Sequence, residues 1–280
     1  MTLEIFKNNS YEISKLITKK YSTSFSLATS FLEKEKRKAI YAVYGFVRLA
    51  DEIVDSMHNF DKGFLLNQLN TDLHYAVENG ISTNTVLVAF ADTVTKYGIS
   101  KEHVDAFMKS MELDLTNTTY NTSEEIRRYI YGSADVVGLI CLKIFCNGDE
   151  VLYNKLEAYA QHLGSAFQKV NFLRDLKTDM KDLGRTYFPE INTFTFNTES
   201  KQMIEKSIEN DFSMAYQGIK SLPGRSRLAV SLAYFYYMGL FNKIKKIPPQ
   251  KVLSARIRIS NARKYFIMLK VLILYIFKLI

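Results

Sequence analysis

Two aspartate pairs constrain this chain more than any other feature. "LADEIVD" (residues 49–55) and "VNFLRDLKTD" (residues 170–179) each set two Asp four residues apart inside an apolar, helical pattern. On an α-helix, residues i and i+4 share a face. Asp51 and Asp55 therefore point one way, and Tyr44 and Arg48 continue that face toward the N-terminus. Gln168, Asn171, Asp175 and Asp179 line one strip of the second helix, while Val170, Leu173 and Leu176 supply apolar contacts on adjoining faces. Like charges at this spacing cost helix stability, so something must offset them. Three offsets are open: water, the neighbouring Arg48 and Arg174, or a hard divalent cation that leaves positions free for phosphate oxygens. For one pair alone, solvation or ion pairing is the ordinary outcome. These two pairs are the only ones at this spacing in the sequence, and each lies among apolar residues beside an arginine. If their helices face each other across a bundle, the four carboxylates converge on one metal-binding cleft.

Oxygen donors without a Cys or His cluster suit Mg²⁺ better than zinc. A diphosphate held by such a cation becomes a good leaving group, because charge growing as the carbon–oxygen bond breaks is neutralised. The carbocation left behind must be kept from water, and aromatic faces stabilise it. Tyr and Phe, at 18 and 19 residues with no Trp, are abundant enough to line such a cavity.

The rest of the chain predicts helices. Gly is sparse at 12 residues and Pro at 4, which disfavours Pro-punctuated β architectures. Ile40, Val43, Phe46 or Val47, Ala50 and Val54 make a helical stripe. Gly98 is a stop and Ser100 a start; Thr122 and Glu125 have capping-box spacing; Gly148 is a stop and Asp149 a start. The helix that follows is expected to run to Gly184, "IPPQ" (247–250) breaks a late one, and "YFPEINTFTFNTES" is the best irregular loop. With no linker or repeat, the expected fold is one all-α domain, residues 1–280, of about eight to ten helices.

A formal charge of +8 favours anionic partners: nucleic acid, anionic lipid or a phosphorylated substrate. The basic residues are scattered or C-terminal and no binding motif accompanies them, so no nucleic acid is expected. Cys141 and Cys146 lack the further ligands of a zinc set and read as buried free thiols in a reducing compartment. The N-terminus lacks the apolar stretch of a signal peptide, so a cytoplasmic protein is expected. "YFIMLKVLILYIFKLI" (265–280) is strongly apolar but broken by Lys270 and Lys278. It is shorter than the ~20 residues a spanning helix needs. Packing on the domain and insertion in a bilayer interface are both open for it, and Arg256, Arg258, Arg263 and Lys264 just upstream suit anionic headgroups.

Five blocks, "YSTSFSLAT" (21–29), "AVYGFVRLADEIVD" (42–55), "YIYGSADVVG" (129–138), "FQKVNFLRDLKTD" (167–179) and "GRTYFP" (184–189), resemble in order the conserved blocks of the squalene/phytoene synthase family. The form "RLADEIVD" is most similar to bacterial phytoene synthases, and the chain beyond about residue 198 matches more loosely. The resemblance implies an isoprenoid-synthase-type helical bundle around a central apolar cavity. It implies Mg²⁺, with Mn²⁺ as a substitute, held by Asp51, Asp55, Asn171, Asp175 and Asp179. Arg48, Gln168 and Arg174 would then contact diphosphate or hold the carboxylates. Ser22, Ser24 and Phe25 match the element beside the diphosphates, with Tyr44 lining the same site. Tyr129, Tyr187 and Tyr237 match tyrosines near the reacting carbons or diphosphates, and Arg256 the late arginine that reaches a phosphate. Gly132, Ala134 and Gly138 would widen a channel for a polyprenyl tail; considered alone, the glycines equally well permit close helix packing. Asp135 departs from the family, where this part of the helix is apolar or small, and is read as facing solvent or pairing with a base.

The reaction implied is head-to-head condensation of two polyprenyl diphosphates. Ionisation of the first gives a cation that the second molecule's double bond attacks, forming a cyclopropylcarbinyl diphosphate. A second ionisation, rearrangement and proton loss yield phytoene when the substrate is geranylgeranyl diphosphate, the first committed step toward carotenoids, with no NADPH. The alternative within the family is squalene or dehydrosqualene from farnesyl diphosphate. A remote alternative is a non-catalytic, membrane-associated assembly factor, which would not need to keep both acid pairs. The inner membrane surface is the expected place of product release, and the oligomeric state is left open.

Overall fold

The computed structural model describes residues 2–181, 184–189, 191, 196–254 and 256–280. In chain order the helices are α1 (Thr2–Tyr21), α2 (Thr23–Thr29), α3 (Lys34–Ser56), α4 (Lys62–Asn79), α5 (Thr85–Tyr97), α6 (Lys101–Thr116) and α7 (Ser123–Ile130). A π-helical turn (Tyr131–Asp135) leads into α8 (Val136–Cys146), followed by α9 (Glu150–Lys181), α10 (Thr198–Ile219), α11 (Gly224–Lys245), α12 (Pro249–Val252) and α13 (Asn261–Ile276). Thirteen α-helices among the described residues exceed the eight to ten expected. The excess has a plain cause: α2 and α12 are too short to show a period, and α7 and α8 read as one helix across the π turn.

Helix ends form where side-chain chemistry dictates. Gly98 closes α5 in the left-handed region (φ 60°), its amide donating to the Val94 carbonyl. Thr122 and Glu125 make both bonds of a capping box at α7. Ser100 starts α6, but its hydroxyl turns to the Glu102 carboxylate instead of capping the backbone. Asn147 (φ 51°) joins Gly148 (φ 88°) in ending α8, and the Asp149 carboxylate then accepts from the Leu152 amide at 2.9 Å. α9 is described to Lys181; residues 182 and 183 of its expected extension, and 190 and 192–195 of the expected loop, lie outside the described residues.

One core of buried side chains runs from Leu32 on to Ile257. α3 buries the stripe Ile40, Val43, Phe46, Ala50 and Val54, with Phe46 stacked on Phe90 at 4.2 Å and edge-on to Phe107 at 5.4 Å. Each such aromatic or aliphatic side chain contributes about 1.5–3 kcal/mol by leaving water. α8 packs against both α3 and α9; α1 and α5 cover α3, and α10 and α11 cover α9. The two aspartate helices therefore lie on either side of α8.

The small residues of the π turn and α8 settle one question the sequence left open. A Cβ on Gly132 would come 2.7 Å from the Ala106 carbonyl of α6, and one on Gly138 would come 2.9 Å from the Ala160 carbonyl of α9. Both glycines let helix backbones touch. The Ala134 carbonyl is likewise pressed, 2.7 Å from where a Cβ on Gly164 would stand. Because the obstacle at Gly138 is backbone, Gly138→Ala is expected to cost about 1–3 kcal/mol. That lowers the thermal midpoint by about 2–4 °C per kcal/mol, and an unchanged midpoint in a calorimetric melt would contradict this packing.

Ser123–Cys146 is the one segment among the described residues long and apolar enough to cross a membrane, but 56% of its window is buried inside the fold. It is a core element. α13 packs one side on α11, burying Val271, while Phe266, Leu269, Ile273 and Ile276 remain exposed on the other.

Candidate active site

Asp51 and Asp55 occupy the last turns of α3, and Asp175 and Asp179 the last turns of α9. A helix C-terminus carries negative partial charge, so these positions compound the repulsion between carboxylates. Desolvation, then Asp55, pushes Asp51 up to about 7. Desolvation, then Asp175, pushes Asp179 up to about 7, and Asp55 from the other helix adds to the shift. The two acidic segments thus stand within each other's field.

Arg185 lies between them. Its Nη1 donates to Asp55 Oδ1 at 3.0 Å, its Nη2 to the Asp114 carbonyl at 2.9 Å, and its backbone amide to the Asp179 carbonyl at 2.7 Å. Burial opposes its charge, yet Tyr187, Asp114 and Asp55 hold its pKa above the ordinary range. An isolated parallel bridge between Thr119 and Thr186 sets its position, with the Thr186 amide on the Thr118 carbonyl at 2.8 Å. Asp114, pushed up to about 7 mainly by burial, accepts from the Tyr129 hydroxyl at 2.9 Å. Neither Arg185 nor Asp114 was singled out by the sequence reading. Arg185 lies within the quoted "GRTYFP" block, whereas Asp114 has no partner at helical spacing and left no signal.

The other expected residues are placed as follows. Arg174 Nε donates to both oxygens of Asp175, at 3.1 and 3.0 Å, and Arg256 Nε stands 2.8 Å from Asp175 Oδ1. Arg48 pairs chiefly with Glu52; its nearest approach to Asp51 is 3.9 Å, and its guanidinium lies 4.4 Å over the Tyr21 ring. Gln168 reaches neither carboxylate pair: its amide donates to Ser133 at 3.4 Å. Ser22 caps α2 by accepting from the Phe25 amide at 3.2 Å, and Ser24 lines a separate basic cleft. Phe25 stacks on Tyr44 at 4.9 Å, and Tyr237 stacks on Phe167 at 3.9 Å while donating to Asn171 Oδ1 at 3.2 Å. Tyr129 and Tyr187 are buried in an aromatic stack with Phe172, the Tyr187 and Phe172 rings 4.0 Å apart.

Cys141 on α8 is only half-buried, yet burial alone pushes its thiol up to about 12.

Among the described residues no three carboxylate, imidazole or thiol groups gather around one point. Mg²⁺ is commonly held by one or two carboxylates, with phosphate oxygens and water completing its octahedron, so a pair on each of two helices suits it. The donors on both helices are oxygens, the kind Mg²⁺ or Mn²⁺ takes, with no thiolate or imidazole set of the kind zinc prefers.

Asp135 neither faces solvent nor pairs with a base. It is 8% exposed and accepts from the Ser165 hydroxyl at 2.8 Å. Desolvation pushes its carboxyl from 3.8 up to about 7, opposed by the Ser165 bond and by Lys169 and reinforced by Asp211. The unfolded chain releases this proton at lower pH than the folded one, so this group's contribution makes stability fall as pH climbs from 3.8 to about 7. Asp135→Asn keeps an oxygen acceptor for Ser165 and is expected to flatten that part of the profile and raise the alkaline melting point. Melts of both proteins across pH check it; parallel profiles would refute it.

The sequence profile of the family described as squalene/phytoene synthase matches residues 18–263. The chain is 25% identical to the 4,4'-diapophytoene synthase of Staphylococcus haemolyticus, covering 84% of this chain and 87% of that one. It is 27% identical to the phytoene synthase of Arthrospira platensis, covering 86% and 85%. Among solved structures, a dehydrosqualene synthase in complex with ligand superposes with a TM-score of 0.81 at 23% identity, covering 96% of this chain and 97% of that one. The squalene synthase HpnC from Alicyclobacillus acidocaldarius superposes with a TM-score of 0.75 at 20% identity, covering 86% and 95%. The expected all-α isoprenoid-synthase fold is therefore the fold of this chain.

Proposed function

The chain belongs to the squalene/phytoene synthase family, and from that premise we propose that it joins two molecules of geranylgeranyl diphosphate head to head, releasing diphosphate and forming phytoene. The observation that carries this reading is the meeting of two aspartate helices around Arg185. When bound by the aspartates and Asn171, Mg²⁺ would neutralise charge on the departing diphosphate.

The chain's own groups do the rest. Arg174 and Arg256, now resting on Asp175, are placed to take phosphate oxygens when that carboxylate is engaged elsewhere. Arg48, beside Asp51, offers a third guanidinium. Phe25, Tyr44, Phe167 and Tyr237 present stacked rings whose faces stabilise an allylic cation and exclude water from it. Burial keeps the Tyr44 hydroxyl protonated by raising it to about 12, so it donates hydrogen bonds without attacking the cation as a phenolate. Proton loss completes phytoene and consumes no reductant.

Likeness to a diapophytoene synthase and to a dehydrosqualene synthase supports a second reading, the same condensation applied to farnesyl diphosphate. The residues at the diphosphates serve both, and the length of polyprenyl tail accommodated separates them. Incubating the purified protein with Mg²⁺ and each diphosphate separately decides: phytoene from geranylgeranyl diphosphate is expected. Dehydrosqualene from farnesyl diphosphate, with no phytoene, would overturn the assignment.

A further inference from the structure

Asp114 stands in the last turn of α6, outside both aspartate pairs, where the helix dipole disfavours a carboxylate. Its oxygens are used unequally. Oδ2 accepts from the Tyr129 hydroxyl at 2.9 Å, and the backbone carbonyl accepts from Arg185 Nη2 at 2.9 Å. Oδ1 is buried and has no hydrogen-bond partner among the described residues. The Tyr120 hydroxyl is buried without a partner as well; its ring lies 4.9 Å from that of Tyr129, and Asp114 is the charge acting most strongly on it. A buried carboxylate left half-satisfied destabilises a fold, so the stability of the helix end does not account for this acid.

Tyr129, the residue it holds, is 3% exposed, and its ring stacks on Tyr187 at 5.5 Å and on Phe172 at 6.2 Å. Phe172 belongs to α9, next to Asn171 and three residues before Asp175. Offset stacking fixes the plane of a ring but lets it slide within that plane. The hydrogen bond to Asp114 removes that freedom. The carbonyl of the same residue holds Arg185, which donates to Asp55 and, through its amide, to the Asp179 carbonyl. Asp114 thereby registers a tyrosine of α7 against both aspartate helices. The two attachments are separable, because a substitution here changes the carboxylate and leaves the carbonyl.

We propose that Asp114 is a positioning residue for the condensation: its side chain sets where the Tyr129 hydroxyl stands relative to the acidic site. It acts on the reacting molecules through that tyrosine and makes no contact with them itself. The required feature is an oxygen that accepts a hydrogen bond, so the neutral amide of Asn serves in its place. This role presupposes that the chain joins two polyprenyl diphosphates, and it is the same for either tail length.

Steady-state kinetics at saturating Mg²⁺, with whichever diphosphate the wild type converts, test it. Asp114→Asn keeps an acceptor for Tyr129 and is expected to retain near-wild-type kcat and KM. Asp114→Leu, similar in size but without an acceptor, is expected to lower kcat about 100-fold with KM unchanged, the loss that a misplacement of about 1 Å produces. Asp114→Ala removes the acceptor equally and carries the same expectation should the leucine variant not fold. Because both changes remove one hydrogen bond, Asp114→Leu combined with Tyr129→Phe is expected to be no slower than Tyr129→Phe alone. In protein labelled with 3-fluorotyrosine, the ¹⁹F resonance assigned by Tyr129→Phe is expected to move further in Asp114→Leu than in Asp114→Asn, which reads the placement without turnover. Wild-type kcat in Asp114→Leu, equal losses in the Asn and Leu variants, losses that multiply in the double variant, or an unmoved resonance would each overturn the proposal. A wild type that condenses neither diphosphate, while the resonance still moves, would instead defeat the functional reading and with it any role for this bond in a condensation.

Discussion

Asp175→Asn is expected to lower turnover by at least about 10²–10³-fold, the loss typical of removing one group that stabilises charge developing in a transition state. The substitution preserves shape but removes the anion on which Arg174 and Arg256 converge. It also halves the acidic pair on α9, leaving Asp179 as the carboxylate there. Product formation from geranylgeranyl diphosphate at saturating Mg²⁺ is the measurement, with circular dichroism confirming an intact helical fold. Asp55→Asn is the parallel change on α3, and a comparable loss is expected. Wild-type turnover in both variants would end the diphosphate-clamp reading.

Arg185→Leu is the second large effect, and it reads on stability as much as on rate. Arg185 is 8% exposed and satisfies Asp55, the Asp114 carbonyl and, through its amide, the end of α9. Removing a buried charge from its partners typically costs about 3–5 kcal/mol. A value at the low end is expected, because the Asp55 side chain is 46% exposed and regains water. The repulsion that Arg185 now moderates between Asp55 and Asp179 would also grow. Chemical denaturation gives the stability change, and a loss below about 0.5 kcal/mol, the range of neutral surface substitutions, would show that the arginine is not the link described.

The aspartate pairs were legible because helical periodicity is a local property: four residues of spacing fix a shared face whatever the tertiary structure. The same holds for the capping box at Thr122 and the stop at Gly98. Arg185 and Asp114 were not legible, because their contact is made by a bridge between Thr119 and Thr186, and no spacing within either segment encodes it. Gly132 and Gly138 illustrate a different limit. A missing side chain announces that space is needed there, yet only the neighbouring helix reveals whether a backbone or a ligand takes it. Asp135 went astray for a related reason: an acid in an apolar run was assigned water or a base, whereas it is buried on a serine hydroxyl and burial raises its pKa to about 7. The apolar run at 265–280 was ambiguous in sequence because it carries two apolar sides, one satisfied by α11 and one not.

The ion pair between Arg256 and Asp175 ties the segment ahead of α13 to the centre of the molecule. Shortening the chain upstream of that arginine would strip a counter-charge from α9 as well as the terminal helix, and the effect of losing the helix would be confounded with damage to the acidic site. Deletions meant to remove α13 alone should therefore begin no earlier than Asn261, where α13 starts and Arg256 is still in place.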